Sequence, residues 1–164
     1  MLTLGAIYSP GYKIALFFHI AAVVALGPTF TYGILFSVLP NYPRSAPALI
    51  DGMRRIDRYI VNPALILLLI AGIVVLASSG SVWKGSQFFI VWGILAIIAL
   101  FGVQHGFFVP QMARLQELAE KDLETGDTFG AEFGATSQKI AQVGAATGAL
   151  ILLTIFIMVY KPFM

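Results

Sequence analysis

The chain contains no cysteine and very little charge, and each shortage excludes a class of function. Without cysteine there are no disulfides, iron–sulfur clusters, thiolate metal sites or cysteine catalysis. Charged residues make up 11% of the 164 residues, whereas soluble domains usually carry about 25%. The net charge is +2 and no Lys/Arg cluster is interleaved with aromatics, so nucleic acid is not an expected partner. Hydrophobic residues, at 59%, must therefore face a lipid bilayer over much of the exterior.

Motifs of several enzyme classes are also missing from the sequence. There is no Gly-rich phosphate loop, nucleophile elbow or HExxH motif, so the sequence leaves open whether the protein is an enzyme. The first twelve residues contain no Lys or Arg, and no small-residue cleavage site follows the first apolar run. We therefore expect that run to remain in the mature protein as a membrane span rather than to be removed as a signal peptide.

Four segments are long and apolar enough to cross a bilayer, which takes about 20 mainly apolar residues. They are residues 12–39, 59–78, 87–109 and 140–160. Because backbone groups in lipid must be satisfied internally, these spans are predicted to be helices. The fold class is then all-α, with residues 1–164 forming one membrane domain built as a four-helix bundle. No carboxylate lies inside a predicted span, which disfavours a carboxylate-based proton pump or cation channel.

The distribution of Lys and Arg predicts the orientation of the spans. Seven of these residues lie in or beside the first and third loops, and three lie on the other side: Arg44, Arg54, Arg55, Arg58, Arg114, Lys121 and Lys139 against Lys13, Lys84 and Lys161. The positive-inside rule then places those two loops in the cytoplasm and both termini on the outer side.

The two loops on the basic side are predicted to contain amphipathic helical extensions of the spans. In the first loop, apolar residues repeat at helical spacing opposite the arginines: Leu49, Met53, Ile56 and Ile60. In the third loop, Glu117 and Lys121 are spaced to pair across one turn. These extensions could form a stalk or partner surface, or they could simply be solvated helices that leave the bilayer.

Small residues mark the faces on which the spans are expected to pack, since helices in lipid associate through close contact of small side chains. In the first span such a face contains Ala15, His19, Ala22, Leu26, Thr29 and Gly33. It predicts that His19 points into the bundle. Gly102-x-x-x-Gly106 and Gly144-x-x-x-Gly148 mark packing faces in the third and fourth spans.

Both histidines of the chain, His19 and His105, lie in apolar spans, and an ionisable residue in a membrane span suggests a functional site. Facing helices in a bundle can hold haem between two imidazoles. At 1.5 Å per residue, however, His19 lies ~9 Å and His105 ~27 Å from the outer ends of their antiparallel spans. The pair is therefore not expected to bind one haem within a protomer, although a homodimer could bring histidines of equal depth together.

Each histidine then has its own expected surroundings. His105 lies at the depth of Tyr32, Asn62 and Gln142, with Gln104 adjacent, which predicts an inner polar cluster. His19 has fewer polar neighbours at its depth, chiefly Thr154 and Met158, and is the stronger candidate for a cofactor or metal ligand. The same cluster of basic residues that sets the orientation, Arg54 and Arg55 with Arg58, could bind haem or porphyrin propionates or anionic lipid headgroups. Asp57 could neutralise one of these arginines.

Two stretches of the sequence resemble the HemJ-type protoporphyrinogen oxidases and related CopD-like membrane proteins. One is the segment from Lys13 to His19, followed by Gly27; the other begins at Arg54-Arg55 and continues through Tyr59 and Pro63-Ala64. The likeness covers spans one to three and implies a bacterial inner-membrane protein with His19, Arg54 and Arg55 near haem b or porphyrin. The third span is apolar around Ile94, where that family carries a lysine, so the likeness concerns the scaffold more than the oxidase activity.

Three functional hypotheses remain open at this point. The first is a haem- or porphyrin-linked redox role, with His19 as axial ligand and Arg54 and Arg55 as anion contacts. The second is a non-catalytic accessory subunit that packs through its small-residue faces against a larger respiratory or transport complex, or as a homo-oligomer. The third is copper handling with His19 as a ligand, for which the sequence supplies no methionine-rich motif.

Overall fold

The computed structural model describes residues 6–126 and 128–163, and this part of the chain contains helices and turns but no strand. Four long helices follow one another: α1 (Pro10–Asn41), α2 (Pro43–Ala77), α3 (Phe88–Thr125) and α4 (Ala131–Tyr160). Each is long and apolar enough to cross a membrane. The all-α prediction is confirmed, and the four helices are consistent with a multi-pass membrane bundle. The helices extend well beyond the predicted spans, chiefly into the first and third loops.

Serine and proline residues determine where α1 begins and where it changes geometry. The Ser9 hydroxyl accepts a hydrogen bond from the Tyr12 amide (3.3 Å), and Pro10 occupies the first helical position. Further along, Gly27–Thr31 forms a 3₁₀ turn that contains Pro28, a residue unable to donate the next helical hydrogen bond. Helix α1 is therefore α-helical before and after this turn and 3₁₀-helical within it.

Helices α2 and α3 each contain a π-helical segment that ends two residues before a proline. The segments are Asp57–Val61, followed by Pro63, and Gln104–Phe108, followed by Pro110. A proline lacks the amide hydrogen that would bond to the carbonyl four residues back, and a wider turn accommodates the gap. The first residue of each segment, Asp57 or Gln104, is polar and buried.

The loop-side parts of the helices form a packed unit, here called the head. It combines Ala46–Ile56 of α2, Val109–Thr125 of α3, the start of α4 and the end of α1. Its buried core consists of Tyr32, Phe36, Leu39, Ala46, Ile50, Met53, Met112, Leu115, Leu118, Ala119, Phe133 and Ile140. The predicted amphipathic helical extensions are therefore present, with charged outer faces exposed and inner faces packed on each other.

The buried face of the first extension also differs from the one predicted. Ala46, Ile50 and Met53 point inward, whereas Leu49 and Ile60 are exposed. The inward residues follow helical three- and four-residue steps to Asp57, so the true face lies mainly one position away from the predicted one.

The remainder of the four helices, here called the membrane part, packs through a smaller core and through small residues. Ala15 and Ala22 of α1 are buried against the side of α2 that contains Ala71 and Gly72. This contact confirms that the predicted small-residue face of α1 is turned inward along its first half, although Gly33 is exposed. The apolar core of this part consists of Leu26, Val61, Ala64, Leu65, Ile97, Leu100 and Ile151.

Candidate functional site

His19 is half-buried in the membrane part, where it is held against α2. Its Nδ1 lies 3.2 Å from the backbone carbonyl oxygen of Leu68. A carbonyl oxygen only accepts hydrogen bonds, so Nδ1 carries the proton at this contact and Nε2 keeps its lone pair. A histidine that donates one ring N–H to a backbone carbonyl is in the form that most metal-ligating histidines take. The side chain is thus oriented for a ligand role.

Gly72 provides the space that lets the imidazole reach the α2 backbone. A Cβ atom at this position would lie 3.2 Å from Cε1 and 3.3 Å from Nδ1 of His19. These distances are shorter than ordinary van der Waals contacts, so any side chain here would push on the ring. The glycine therefore explains how the Leu68 carbonyl, one helical turn away, becomes accessible to His19.

His19 lines a cavity of ≈ 370 Å³ with mainly apolar walls, contributed by all four helices. Met158 of α4 lines the same cavity, as do Tyr12, Trp83 and Lys161 at its end near the chain termini. Cofactor and small-molecule sites in proteins are cavities of about 300–1,000 Å³ with few polar groups. The cavity around His19 has this character.

Met158 is seated where α3 lacks a side chain. A Cβ atom on Gly93 would clash with the Met158 Cε atom, so the methyl group occupies the space that a side chain at position 93 would need. Thr154, the other polar neighbour predicted for His19, instead accepts a hydrogen bond from Trp92 Nε1 at 3.1 Å. Of the two predicted neighbours, only Met158 shares the cavity with His19.

An aromatic and basic cluster covers the end of this cavity near the chain termini. Trp83 Nε1 donates a hydrogen bond to the Tyr12 hydroxyl (3.2 Å), and the Lys161 Nζ lies 3.8 Å from the centre of the Trp83 ring. Burial lowers the pKa of Lys161, which follows the last residue of α4. This cluster was not predicted as part of a site, although tryptophan and tyrosine at span ends are typical of membrane interfaces.

The structure does not bring Arg54 and Arg55 to His19. Both are exposed in the head, where Arg54 donates to Gln116 and Arg55 pairs with Asp51 at 2.7 Å. Eighteen residues of α2 separate Arg54 from Gly72, the neighbour of His19, which corresponds to ~27 Å along a helix. One small cofactor cannot contact His19 and these arginines together.

His105 lies on the exterior of α3, in the π-helical segment. Its exposed ring stacks on Phe101, with ring centres 6.0 Å apart and planes at 15°. The prediction that His105 joins an inner polar cluster is wrong, and Gln142 is likewise exposed. Gln104 lies four residues after the buried Leu100 and shares its face of the helix, so Gln104, rather than its neighbour His105, is in the interior.

The inner polar cluster contains Tyr32 and Gln104 as predicted, but its central residue is Asp57 rather than His105. Asp57 is buried, and the Tyr32 hydroxyl donates a hydrogen bond to its Oδ1 at 3.0 Å. Its structural partner is thus a tyrosine rather than a neighbouring arginine. Sequence reasoning missed Asp57 because it precedes the predicted second span by two residues, whereas the helix runs through it without a break.

Other metal-binding arrangements are not apparent in the part of the chain that the structure describes. Residues 6–126 and 128–163 contain no group of three or more His, Asp or Glu side chains that could hold a metal ion.

Comparisons with protein-family models, with curated proteins and with solved structures find no match for this chain.

Proposed function

We propose that the protein has a haem- or porphyrin-linked redox role in the membrane, with His19 as the axial ligand. The observation that carries the proposal is the state of His19. Its Nδ1 is fixed on the Leu68 carbonyl, its Nε2 is left as a donor atom, and its ring lines an apolar cavity. The resemblance of spans one to three to HemJ-type and CopD-like proteins supports the same role.

The donor chemistry of the cavity fits haem. His19 and Met158 line this cavity together, and their imidazole nitrogen and thioether sulfur are donors that would hold haem iron. The Lys161 ammonium, at the same cavity, would bind a propionate in place of the distant Arg54 and Arg55. When bound, haem would supply one-electron chemistry, while the apolar walls exclude water and His19 holds the group in position.

We further propose that the chain lies in a bacterial inner membrane with both termini outside and the head in the cytoplasm. The excess of Lys and Arg in the first and third loops supports this orientation. In the structure these loops form the head, so the basic residues lie together at one end of the bundle. The His19 cavity then opens toward the outer half of the bilayer.

An absorption spectrum of the purified protein, with and without added haem, tests the haem role. We expect a Soret band that is lost in His19→Ala and retained in His105→Ala, a matched control because His105 is exposed and lines neither large cavity. Met158→Leu should keep the band but shift its position. A protein without a Soret band even after haem supplementation would contradict the proposal. Bound copper that is lost in His19→Ala would favour copper handling instead.

A second function, as an accessory subunit of a larger membrane complex or as a homo-oligomer, is favoured by the outer face of α3. A Cβ atom added at Gly102 or Gly106 would meet no atom of the described residues within 4 Å, so this GxxxG motif packs against nothing in that part of the chain. Such motifs let helices of separate chains approach closely. Stoichiometric partners after mild detergent extraction, lost in Gly102→Ile with Gly11→Ile as control, would support this role.

A further inference from the structure

A second large cavity, of ≈ 420 Å³, lies nearer the head and shares no lining residue with the His19 cavity. Its body is apolar, with Leu26, Leu65 and Leu100 among its walls. At one end it meets the buried polar residues Asp57 and Gln104, which begin the two π-helical segments. Local π segments are frequent at functional sites, and here they supply the only charged side chain in the lining of this cavity.

Asp57 is 7% exposed and has no basic partner in the described ranges 6–126 and 128–163. Its Oδ1 accepts a hydrogen bond from Tyr32, whose hydroxyl also lies 3.2 Å from the Met53 carbonyl. One hydroxyl hydrogen cannot fully satisfy both acceptors, and a carboxylate carries about four acceptor sites. Asp57 therefore retains capacity to accept a hydrogen bond from a ligand.

Gln104 supplies the complementary donor. It is 6% exposed, and its amide interacts with the Asp57 carboxylate, although Nε2 meets the full geometry of a hydrogen bond with no described residue. An amide nitrogen carries two hydrogens, so at least one of them remains for a ligand. A buried donor without a partner is destabilising by about 1–3 kcal/mol, and such groups in native proteins usually bind something outside the chain. The amide lines the cavity, so a ligand there can satisfy it.

We propose that this cavity binds an apolar molecule with a hydroxyl head group. A hydroxyl donates to the Asp57 carboxylate and accepts from Gln104 Nε2 through a single oxygen atom, and it carries no charge into the apolar cavity. Water would complement the polar end equally well, but one water occupies only ~30 Å³ in the liquid and gains nothing from the apolar walls. The ligand class is a phenol or quinol ring, or a lipid alcohol, whose apolar body fills the remainder.

The position of the cavity gives such a molecule a path from the bilayer. Exposed apolar residues of α1 and α4 contribute to its lining, among them Phe30, Gly33, Ala149 and Leu152. The ligand would enter between these helices and place its hydroxyl toward the head, where Asp57 and Gln104 lie. Amphipathic molecules adopt this arrangement at membrane interfaces, with the polar group toward water and the body in the apolar layer.

Equilibrium binding of 1-naphthol to the full chain in phosphatidylcholine nanodiscs tests this proposal, with empty nanodiscs as the baseline. We expect binding above the baseline, and about tenfold weaker binding of 1-methoxynaphthalene, whose ether cannot donate to Asp57. Gln104→Leu should weaken 1-naphthol binding by about tenfold. Gln142→Leu is the matched control, because Gln142 is exposed and does not line the cavity, and it should bind as the parent protein does.

Competition identifies the source of the hydroxyl. Displacement of 1-naphthol by dodecan-1-ol but not by dodecane would support the site and assign it to lipid alcohols. If neither compound competes, while 1-naphthol still binds more tightly than 1-methoxynaphthalene, the site would be assigned to phenols or quinols. Equal binding of 1-naphthol and its methyl ether would overturn the proposal and leave water at the polar end. Because the ligand pair is compared on the parent protein, this result stands even if Gln104→Leu fails to fold. His19→Ala should not change it, so the outcome is separate from the haem test.

Discussion

The head and the membrane part of this molecule are packed to different degrees. The twelve head-core residues are between 0% and 9% exposed, and five of them are 0% exposed: Leu39, Ala46, Ile50, Leu115 and Ala119. The seven membrane-core residues are between 2% and 7% exposed, and none of them is fully buried. The His19 cavity lies wholly in the membrane part. The second cavity, lined by Asp57 and Gln104, extends from the membrane part into the head core. Water drives apolar surfaces together, whereas in lipid no comparable force closes a gap between helices. The membrane part can therefore keep internal space available for ligands.

The largest expected effect comes from removing a side chain in the head core. Leu115→Ala should lower the free energy of unfolding by about 2–5 kcal/mol, because the buried site cannot collapse around the lost atoms. Leu95→Ala makes the same substitution on the same helix, but Leu95 is 59% exposed in the membrane part. This variant should lower the free energy of unfolding by about 0.5 kcal/mol or less. Denaturant titration of both variants in nanodiscs measures the difference. Equal losses would remove the distinction between the two regions.

A smaller effect is expected at the junction of the two regions, where Tyr32 supports Asp57. Tyr32→Phe removes the hydroxyl that donates to the buried carboxylate and should lower the free energy of unfolding by about 1–3 kcal/mol. Tyr59→Phe is the control, since Tyr59 is exposed and its hydroxyl can bond to water or headgroups. Denaturant titration of Tyr32→Phe and Tyr59→Phe in nanodiscs measures the difference. Unchanged stability of Tyr32→Phe would mean that Asp57 is satisfied by another group.

The smallest effect on stability is expected inside the membrane part, at the glycine beside His19. Alanine is favoured over glycine in a helix by about 1 kcal/mol, and at Gly72 the crowding of the His19 ring should cancel that gain. At Gly102 an added Cβ meets no described atom within 4 Å, so Gly102→Ala should be the more stable variant by about 1 kcal/mol. Thermal unfolding of the two variants checks the order. If Gly72→Ala is equally stable, the imidazole is not held as tightly as the 3.2 Å contact indicates.

The periodicity of the sequence predicted the features that depend on local composition. Four apolar stretches of sufficient length predicted four helices, and the spacing of Ala15, His19 and Ala22 predicted correctly that His19 faces the bundle. The position of His105 was predicted wrongly from its depth in the third span, because depth does not show on which face of the helix a residue lies. Gln104 follows the buried Ile97 and Leu100 at helical steps and is buried, whereas its neighbour His105 is exposed.

The hydrogen-bond partners at the two cavities were beyond sequence reasoning, because they depend on contacts between residues far apart in the chain. The Leu68 carbonyl belongs to the backbone and carries no sequence signal, so the partner of His19 could not be named. Asp57 looked like a surface residue beside three arginines, yet the continuous helix turns it toward Tyr32, 25 positions earlier. Such pairings depend on how the helices are placed against one another.

The sequence by itself determined that this protein is made of membrane-crossing helices, since the scarcity of charge and the length of the apolar runs allow little else in lipid. It also identified His19 as an imidazole that faces the bundle. Only the tertiary structure decided which nitrogen of His19 is already engaged, that Met158 shares its cavity while Arg54 and Arg55 lie elsewhere, and that Asp57 and Gln104 meet in a second cavity. The physical reason is that helix register and helix–helix distance arise from packing, and a shift of one position exchanges an exposed side chain for a buried one.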